Sequence, residues 1–243
     1  VMFRRRLGEG VLSNQGSNSD PTRVFLDDGK DIHKRHAIYR LQSKDYLLEI
    51  CLLALAIIVR FYRLGFPDCT VFDEVHFGRF ISQYDFREYF FDIHPPLAKL
   101  CMYAFAKLFG FHAIDRDKFK FQTIGKQFPA ELVWFPLRAL PAFFGALCVP
   151  LMYRTCRKLG IGIEFSVVAA FFVCFDMCGV IESRLILTDS QLIFYCALAL
   201  YLMLELWDTL PNTPRRRWLV FASGLACGAC ISVKFTGLAT PGL

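Results

Sequence analysis

The 243-residue sequence lacks several signals that would place it in a common soluble or secreted class. It begins without the apolar run of a cleavable signal peptide, and its first apolar run starts only near Tyr46. It also contains no Asn-x-Ser/Thr acceptor site, since Asn212-Thr-Pro fails the pattern. We therefore expect the first apolar run to stay in the protein as an anchor, and N-glycosylation cannot report on its topology.

A second pair of cysteines at metal-binding spacing is also missing. Cys227-Gly-Ala-Cys230 alone has the spacing of a zinc or redox motif, and it lies within an apolar run. Most of the ten cysteines lie in such runs, where a thiol behaves as a small apolar side chain, so we expect no metal site. Cys69 and Cys101 flank a loop that could be oxidised, and the sequence does not decide whether they pair.

The composition is too apolar for a soluble protein of this length. Hydrophobic residues make up 55% of the chain and aromatic residues 16%, including 26 Phe. The net charge of +6 would suit a nucleic-acid partner, but the basic residues flank the apolar runs. They are better explained as topology signals, so we predict a membrane protein with no nucleic-acid partner.

The apolar pattern predicts a mainly α, polytopic membrane protein with about five transmembrane helices. The predicted spans are residues 44–62, 135–153, 164–181, 185–207 and 218–237. A long loop, residues 63–134, carries two segments with apolar residues at helical spacing, 76–84 and 97–111, which predict helices lying along the membrane surface. Residues 1–43 are charged and rich in Ser, Asn, Gly and Asp, and we expect a disordered cytosolic segment there.

Basic residues near the span ends predict the orientation. They form three sets, which are Lys30, Lys34, Arg35, Arg40 and Lys44; Arg154, Arg157 and Lys158; and Arg215, Arg216 and Arg217. All three sets fall on one side if the helices alternate, so that side is predicted to be cytosolic. The opposite face then receives six charged residues, Asp73, Glu74, Arg138, Arg184, Asp189 and Lys234.

This convergence of charges suggests chemistry at the non-cytosolic face. Cationic side chains suit a lipid phosphate, and a carboxylate beside them suits proton abstraction from an acceptor. The alternative is that these are ordinary interfacial charges that extend to lipid headgroups. His94, held at the junction with Pro95-Pro96, either faces the site or has a capping or packing role.

Several strings resemble the protein O-mannosyltransferase family. Val71-Phe-Asp-Glu-Val-His-Phe-Gly78, followed by Tyr89-Phe-Phe-Asp-Ile-His-Pro-Pro-Leu-Ala-Lys99, is similar to its first luminal loop. Arg138 with Gly145 and Val149-Pro150 resembles the start of its second transmembrane helix. Asp176, Glu182-Ser-Arg-Leu-Ile-Leu-Thr-Asp189 and Ser232-Val-Lys-Phe-Thr-Gly237 continue the resemblance in the same order, over about residues 46–240.

The resemblance implies a GT-C type glycosyltransferase of the endoplasmic reticulum membrane with a luminal active face. Such an enzyme transfers mannose from dolichyl phosphate mannose to Ser or Thr hydroxyls of secretory proteins, with inversion and without a cofactor, and works as a homodimer or heterodimer. Carried over by motif, Asp73 is the catalytic base with Glu74 beside it, and Arg138, Arg184 and Lys234 bind the donor. Glu182 and Asp189 orient those basic residues, and His94 is a further substrate-binding candidate.

The family has later helices and a luminal repeat domain that this sequence lacks, so we expect residues 44–243 to be the N-terminal part of a GT-C domain, inactive alone. Gln191 places a polar group on the fourth span without an evident partner. Two alternatives stay open, a catalytically silent membrane scaffold or partner subunit and, with less support, a transporter. Against the transporter, the sequence shows no inverted repeat or matching broken spans.

Overall fold

The computed structural model describes residues 42–115 and 118–242, and within them eight α-helices and one 3₁₀ helix are present. The helices are α1 Ser43–Phe61, α2 Glu74–Asp85, α3 Leu97–Leu108, α4 Phe135–Lys158, α5 Ile163–Phe175, α6 Met177–Ser183, α7 Asp189–Trp207 and α8 Pro214–Val233, followed by the 3₁₀ helix Phe235–Ala239. The predicted mainly helical fold is confirmed. The cytosolic segment predicted for residues 1–43, with the basic residues at 30–40, lies outside the described residues except for positions 42 and 43.

Helix α4 is the centre of the bundle and packs against α1, α5 and α7, while α8 packs against α7. Small side chains allow this close approach: Ala56 of α1, Ala146 of α4 and Ala170 of α5 are fully buried in one apolar cluster. Packing of small residues is the usual basis of helix association in lipid, where tails are as apolar as the side chains. The centre of the bundle is therefore fixed by residues 52–56, 146–153 and 170–174.

Two helices, α4 and α7, are long and apolar enough by themselves to cross a membrane, and the pair α5–α6 makes a third candidate if it counts as one bent span. Helices α1 and α8 occupy two further predicted spans, and the charged residues of α1 are Lys44, Asp45, Glu49 and Arg60. In α1 the charged residues Asp45, Glu49 and Arg60 are buried against neighbouring helices, so they do not meet lipid. The boundaries of α7 and α8 also differ from the predicted spans, because Asp189 and Pro214 begin them.

The third predicted span, residues 164–181, is not one continuous helix. It breaks at Asp176 into α5 and α6, which are bent by 54° relative to each other. Asp176 has extended backbone angles, and its carboxylate accepts a hydrogen bond from Gly179 N at 2.7 Å, which caps the start of α6. At the end of α5 the guanidinium of Arg60 donates to the carbonyls of Val173 and Cys174. These groups replace the helical hydrogen bonds that a straight span would have made.

The close approach of α4 to α6 depends on Gly145. A β-carbon at this position would lie 2.5 Å from the Cβ of Ser183, which is inside van der Waals contact. The bend at Asp176 and this contact together place the chain that follows Ser183 beside the start of α4.

The long loop between α1 and α4 folds around its own apolar cluster. The helices α2 and α3 occupy the positions predicted for surface helices, and their buried residues include Phe77, Ile81 and Met102. Asp85 at the end of α2 accepts hydrogen bonds from Lys107, Tyr103 and the backbone N–H of Ala113. Burial by itself would raise the pKa of Asp85, but these donors lower it below its usual value. The loop is thus tied together by one ionised carboxylate.

Closed ion pairs join the helices at the end of the bundle that carries the basic residues. Asp45 accepts from Tyr153 at 2.7 Å and from Arg157 at 2.8 Å, and Glu49 pairs with Arg154. In the same region Lys158 lies 3.2 Å from Glu205 and 3.3 Å from Asp208, and Arg215 lies 2.8 Å from Glu205. We call these residues the basic end. The loops 158–163 and 207–214 therefore come to the same end as the start of α1, as the alternating arrangement predicts.

Candidate active site

Asp73 is the residue immediately before α2, and its carboxylate makes no hydrogen bond or ion pair with any residue that the structure describes. Its backbone carbonyl accepts from the N–H groups of His76 and Phe77 and so begins the helix. The preceding residue, Phe72, has φ of 48° and is 60% exposed, and this left-handed conformation is uncommon for an aromatic residue. The turn holds Asp73 half-buried at the start of α2.

Glu74, one residue later, is in the opposite situation because it is fully buried and every part of its carboxylate is bound. Arg138 donates to it twice, from Nε to Oε1 at 2.7 Å and from Nη2 to Oε2 at 2.8 Å. The backbone N–H groups of Val71 and Ile186 also donate to it, at 2.8 Å and 3.0 Å. Glu74 therefore fastens α2 to the start of α4 and to the loop after α6.

Arg138 is also fully buried, and its remaining contacts are with the protein. Nη1 donates to the carbonyl of Pro67 at 2.7 Å, and Nη2 donates to that of Cys69 at 2.9 Å. The guanidinium lies 5.4 Å from the ring centre of Phe128 and 5.0 Å from that of Trp134. The sequence suggested that Arg138 binds the donor, whereas the geometry favours a positioning role, since its hydrogen-bond donors are occupied by Glu74 and by two backbone carbonyls. Direct donor binding by Arg138 stays a prediction.

Lys234 and Asp189 form the more accessible pair of the candidate site. Nζ of Lys234 lies 2.7 Å from Oδ1 of Asp189, and the two side chains are 21% and 29% exposed. Asp189 begins α7 and Lys234 ends α8, so the pair joins two helix ends. The turn after Lys234 needs Gly237, because a β-carbon there would lie 2.5 Å from the carbonyl oxygen of Cys230. Asp189 therefore contacts Lys234 directly, and its orienting role stays a prediction.

Arg184 and Glu182 are not paired in the same way. Nη2 of Arg184 donates to the carbonyl of Arg63 at 3.1 Å, while Glu182 accepts from the thiol of Cys178. Residues two apart on a helix point about 200° apart, so Glu182 and Arg184 leave α6 in different directions. The expectation that Glu182 orients a basic residue is not supported by this geometry, although Arg184 itself lies half-buried where α6 ends.

His94 packs on the side of α2, with its ring stacked on Phe77 at 6.4 Å between centres. Its carbonyl accepts from Nζ of Lys99 at 2.8 Å, and the same Nζ is ion-paired with Asp92. His94, Asp92 and Lys99 line a cavity of about 320 Å³ with Tyr84, whose pKa is raised by burial and by the nearby Asp92 carboxylate. Sequence reasoning missed the Asp92–Lys99 pair; a lysine within the apolar segment that follows Pro95-Pro96 was the available signal.

Gln191 has a partner that the sequence did not reveal. Its Nε2 donates to the carbonyl of Ala98 at 3.3 Å, which joins α7 to α3, while its Oε1 has no partner among the described residues.

The cysteines are free thiols, including Cys69 and Cys101. Within residues 42–115 and 118–242, no group of three His, Cys, Asp or Glu residues is arranged to hold a metal ion.

Comparison with known proteins identifies the family. Residues 50–243 match the sequence profile of the family described as dolichyl-phosphate-mannose-protein mannosyltransferase. The chain is 36% identical over 242 residues to dolichyl-phosphate-mannose–protein mannosyltransferase 4 of Candida albicans, which covers 95% of this chain and 32% of that protein. It is also 36% identical over 223 residues to mannosyltransferase 1 of Saccharomyces cerevisiae, covering 90% of this chain and 26% of the relative.

A solved structure agrees with the sequence matches. The S. cerevisiae protein O-mannosyltransferase Pmt1-Pmt2 complex bound to the sugar donor superposes with a TM-score of 0.80 at 35% identity, over 86% of this chain and 28% of that one. The chain therefore spans about a third or less of the length of these relatives. The predicted polytopic membrane fold of GT-C type is confirmed, and the chain belongs to the dolichyl-phosphate-mannose-protein mannosyltransferase family.

Proposed function

We propose that the protein transfers mannose from dolichyl phosphate mannose to Ser or Thr hydroxyls of secretory-pathway proteins at the luminal face of the endoplasmic reticulum membrane. Family membership supports the reaction class, and the donor-bound state of the S. cerevisiae complex supports the donor. Because the chain spans only part of its relatives, we propose the activity for the whole protein that carries it, with residues 44–243 supplying the base and part of the donor site.

The observation that carries the proposal is the contrast between Asp73 and Glu74. A general base must be ionised and free to accept a proton, and among these neighbours only Asp73 has no bound partner in the described part of the chain. Glu74 is engaged by four donors, so protonating it would disrupt the contacts that hold α2 in place. Asp73 therefore accepts the proton, and Glu74 positions the turn that presents it.

In the proposed step the acceptor oxygen attacks the anomeric carbon of mannose as the bond from that carbon to the phosphate oxygen breaks. The hydroxyl proton passes to Asp73, and the bonding electrons leave with dolichyl phosphate. Direct displacement by one nucleophile inverts the sugar centre, and no second carboxylate is needed as a covalent nucleophile. The leaving group is already a phosphate, so the proposal requires neither a nucleotide nor a metal cofactor.

Lys234 and Arg184 are the proposed phosphate ligands. Both lie at helix ends and are partly accessible, whereas Arg138 is enclosed. Fixed cationic donors at the leaving phosphate stabilise the charge that develops there in the transition state. Asp189 holds Lys234 in place until the donor binds. His94 stacks on Phe77, which lies one turn along α2 from Asp73, and we propose that His94, Asp92 and Lys99 line the approach of the acceptor.

The proposed partner is a related mannosyltransferase. The matching solved structure is a complex of two such proteins, Pmt1 and Pmt2, and we propose that this protein likewise works as a homodimer or heterodimer. Co-purification of two differently tagged copies, compared with co-purification of one copy with another family member, distinguishes the two assemblies. Recovery of the protein only as a monomer in mild detergent would contradict the proposal.

The proposed orientation places the basic end in the cytosol and Asp73 in the lumen. Cysteine substitutions at Ser82, in α2, and at Leu159, after α4, provide the test in sealed microsomes. We expect a membrane-impermeant maleimide to label the position-159 variant in intact vesicles and the position-82 variant only after permeabilisation. Labelling of the position-82 variant in intact vesicles would contradict the proposed orientation.

Asp73→Asn tests the catalytic assignment. The change keeps the size of the side chain and removes the proton acceptor, so we expect a loss of roughly 10²–10⁴ in turnover with the donor affinity retained. Turnover is measured at matched expression in microsomes from cells expressing the gene that encodes this chain, with dolichyl phosphate mannose and a Ser/Thr-rich peptide. Asp68→Asn, which changes an exposed carboxylate in the same loop, is the matched control and should leave turnover unchanged. Near-normal turnover of Asp73→Asn would assign the proton to another group.

A further inference from the structure

A large groove lies on the flank of the bundle, and none of its lining residues belongs to the candidate active site. Its volume is about 1090 Å³, and it lies between α5–α6 and α7, with Gly145 and Cys148 of α4 at its back. Phe172 and Val168 on its apolar wall are 75% and 50% exposed. The eight helical residues from Val168 to Phe175 give it a length of about 12 Å, so part of an extended apolar chain can lie along it.

One end of this groove contains polar atoms that have no partners in the described part of the chain. Arg60 is 2% exposed, and its Nη1 and Nη2 donate to the carbonyls of Cys174 and Val173, but its Nε has no acceptor. Ser190 is 4% exposed, and its Oγ also has no partner. A buried polar group without a partner destabilises the fold, so a ligand with hydrogen-bond acceptors is expected at this end.

The charges at the polar end indicate which headgroup fits. Arg60 is a buried cation, and Asp176 lines the same end of the groove with a carboxylate that accepts only from Gly179 N among the described residues. An anionic lipid would satisfy Arg60 but would bring a second negative charge close to Asp176. A zwitterionic headgroup offers a phosphate to the guanidinium and an ammonium group to the carboxylate, so both charges gain a partner.

We propose that this groove is a binding site for a zwitterionic phospholipid of the membrane. Its phosphate accepts from Arg60, its ammonium group donates to Asp176, and one acyl chain lies along Val168, Phe172 and Ile193. The occupant packs against the 54° bend between α5 and α6 and keeps water away from the broken helix. The inference is independent of the proposed transferase activity, because it uses none of the same residues.

The probe is a phosphatidylethanolamine that carries a diazirine in its acyl chain. It is photo-cross-linked in microsomes from cells expressing the gene that encodes this chain, and the labelled peptides are mapped by mass spectrometry. We expect label on α5 and α7, reduced at least five-fold by Val168→Trp, because the indole fills the apolar part of the groove. The matched control is Val220→Trp, since Val220 of α8 is 53% exposed and lies outside the groove. Equal labelling of the two tryptophan variants would overturn the proposal.

A second variant tests the headgroup without touching Arg60, whose loss could unfold the end of α5. Asp176→Asn keeps an acceptor for Gly179 N and removes the negative charge. We expect the preference for phosphatidylethanolamine over phosphatidic acid, measured by competition, to fall several-fold. Competition by dolichyl phosphate mannose alone would assign the groove to the donor. Cross-linking of a benzoylphenylalanine at position 168 to another helix of the same polypeptide would assign it to protein packing, and either result overturns the proposal.

Discussion

The two ends of the helical bundle use charged residues in different ways. At the basic end Asp45, Glu49 and Glu205 are each paired with arginine or lysine across helices. At the opposite end Asp73 has no described partner, and the Asp189–Lys234 pair is partly exposed. Ion pairs in which both side chains are bound within the protein hold helices together but leave no group free for a substrate. The difference teaches that the number of charges at a membrane face says less about function than which of them lack a protein partner.

Within the site end the same contrast separates Glu74 from Asp73. Glu74 and Arg138 resemble the pairs of the basic end because each is bound to a partner on another helix, and in addition both are fully buried. The candidate site thus contains one buried ion pair, Glu74–Arg138, and the more accessible groups Asp73, Asp189 and Lys234.

The largest effect is expected from breaking the closed pair. Arg138→Met leaves the Glu74 carboxylate buried without its ion partner, which costs about 3–5 kcal/mol. We expect the thermal midpoint of the detergent-extracted protein to fall by roughly 10 °C, measured by fluorescence-detected size-exclusion chromatography. Lys234→Met, which removes a partly exposed partner, should lower it far less. An equal fall in thermal midpoint for the two variants would show that burial does not make the Glu74–Arg138 pair more important for stability than the Asp189–Lys234 pair.

A smaller effect, on substrate use and not on stability, is expected for Arg184→Lys. A guanidinium binds phosphate oxygens through two parallel N–H groups, and an ammonium group does not reproduce this geometry. We expect the apparent KM for dolichyl phosphate mannose to rise about ten-fold, since one good charge-assisted hydrogen bond is worth roughly 1.5 kcal/mol. Arg217→Lys, an exposed change at the basic end, is the control. An unchanged KM for the Arg184 variant would remove Arg184 from the donor site.

The smallest effect on activity is expected for Asp45→Asn at the basic end. The amide still accepts from Tyr153 but loses the charge that pairs with Arg157. We expect a loss of about 1–2 kcal/mol in stability and no change in turnover per folded molecule. Thermal midpoint and turnover are measured on the same sample, with Glu131→Gln as an exposed control. A fall in turnover at unchanged stability would mean that the two ends are coupled.

Much of the fold was predictable because it depends on local patterns. Apolar runs and flanking arginines predicted five helical spans close to the observed α1, α4, α5–α6, α7 and α8. Helical spacing predicted α2 and α3 within the long loop. The resemblance of a few strings identified the family, because those strings keep their order along the chain.

The sequence by itself determined which residues are helical, which ends are basic and where a carboxylate pair lies next to a helix start. Only the tertiary structure decided that Glu74 is enclosed while Asp73 has no partner among the described residues, and that the third span breaks at Asp176, where Arg60 of α1 binds the carbonyls at the end of α5. The physical reason is distance along the chain. Periodicity and helix capping act over a few residues, whereas the partner of Glu74 lies 64 residues away and is chosen by how the helices pack.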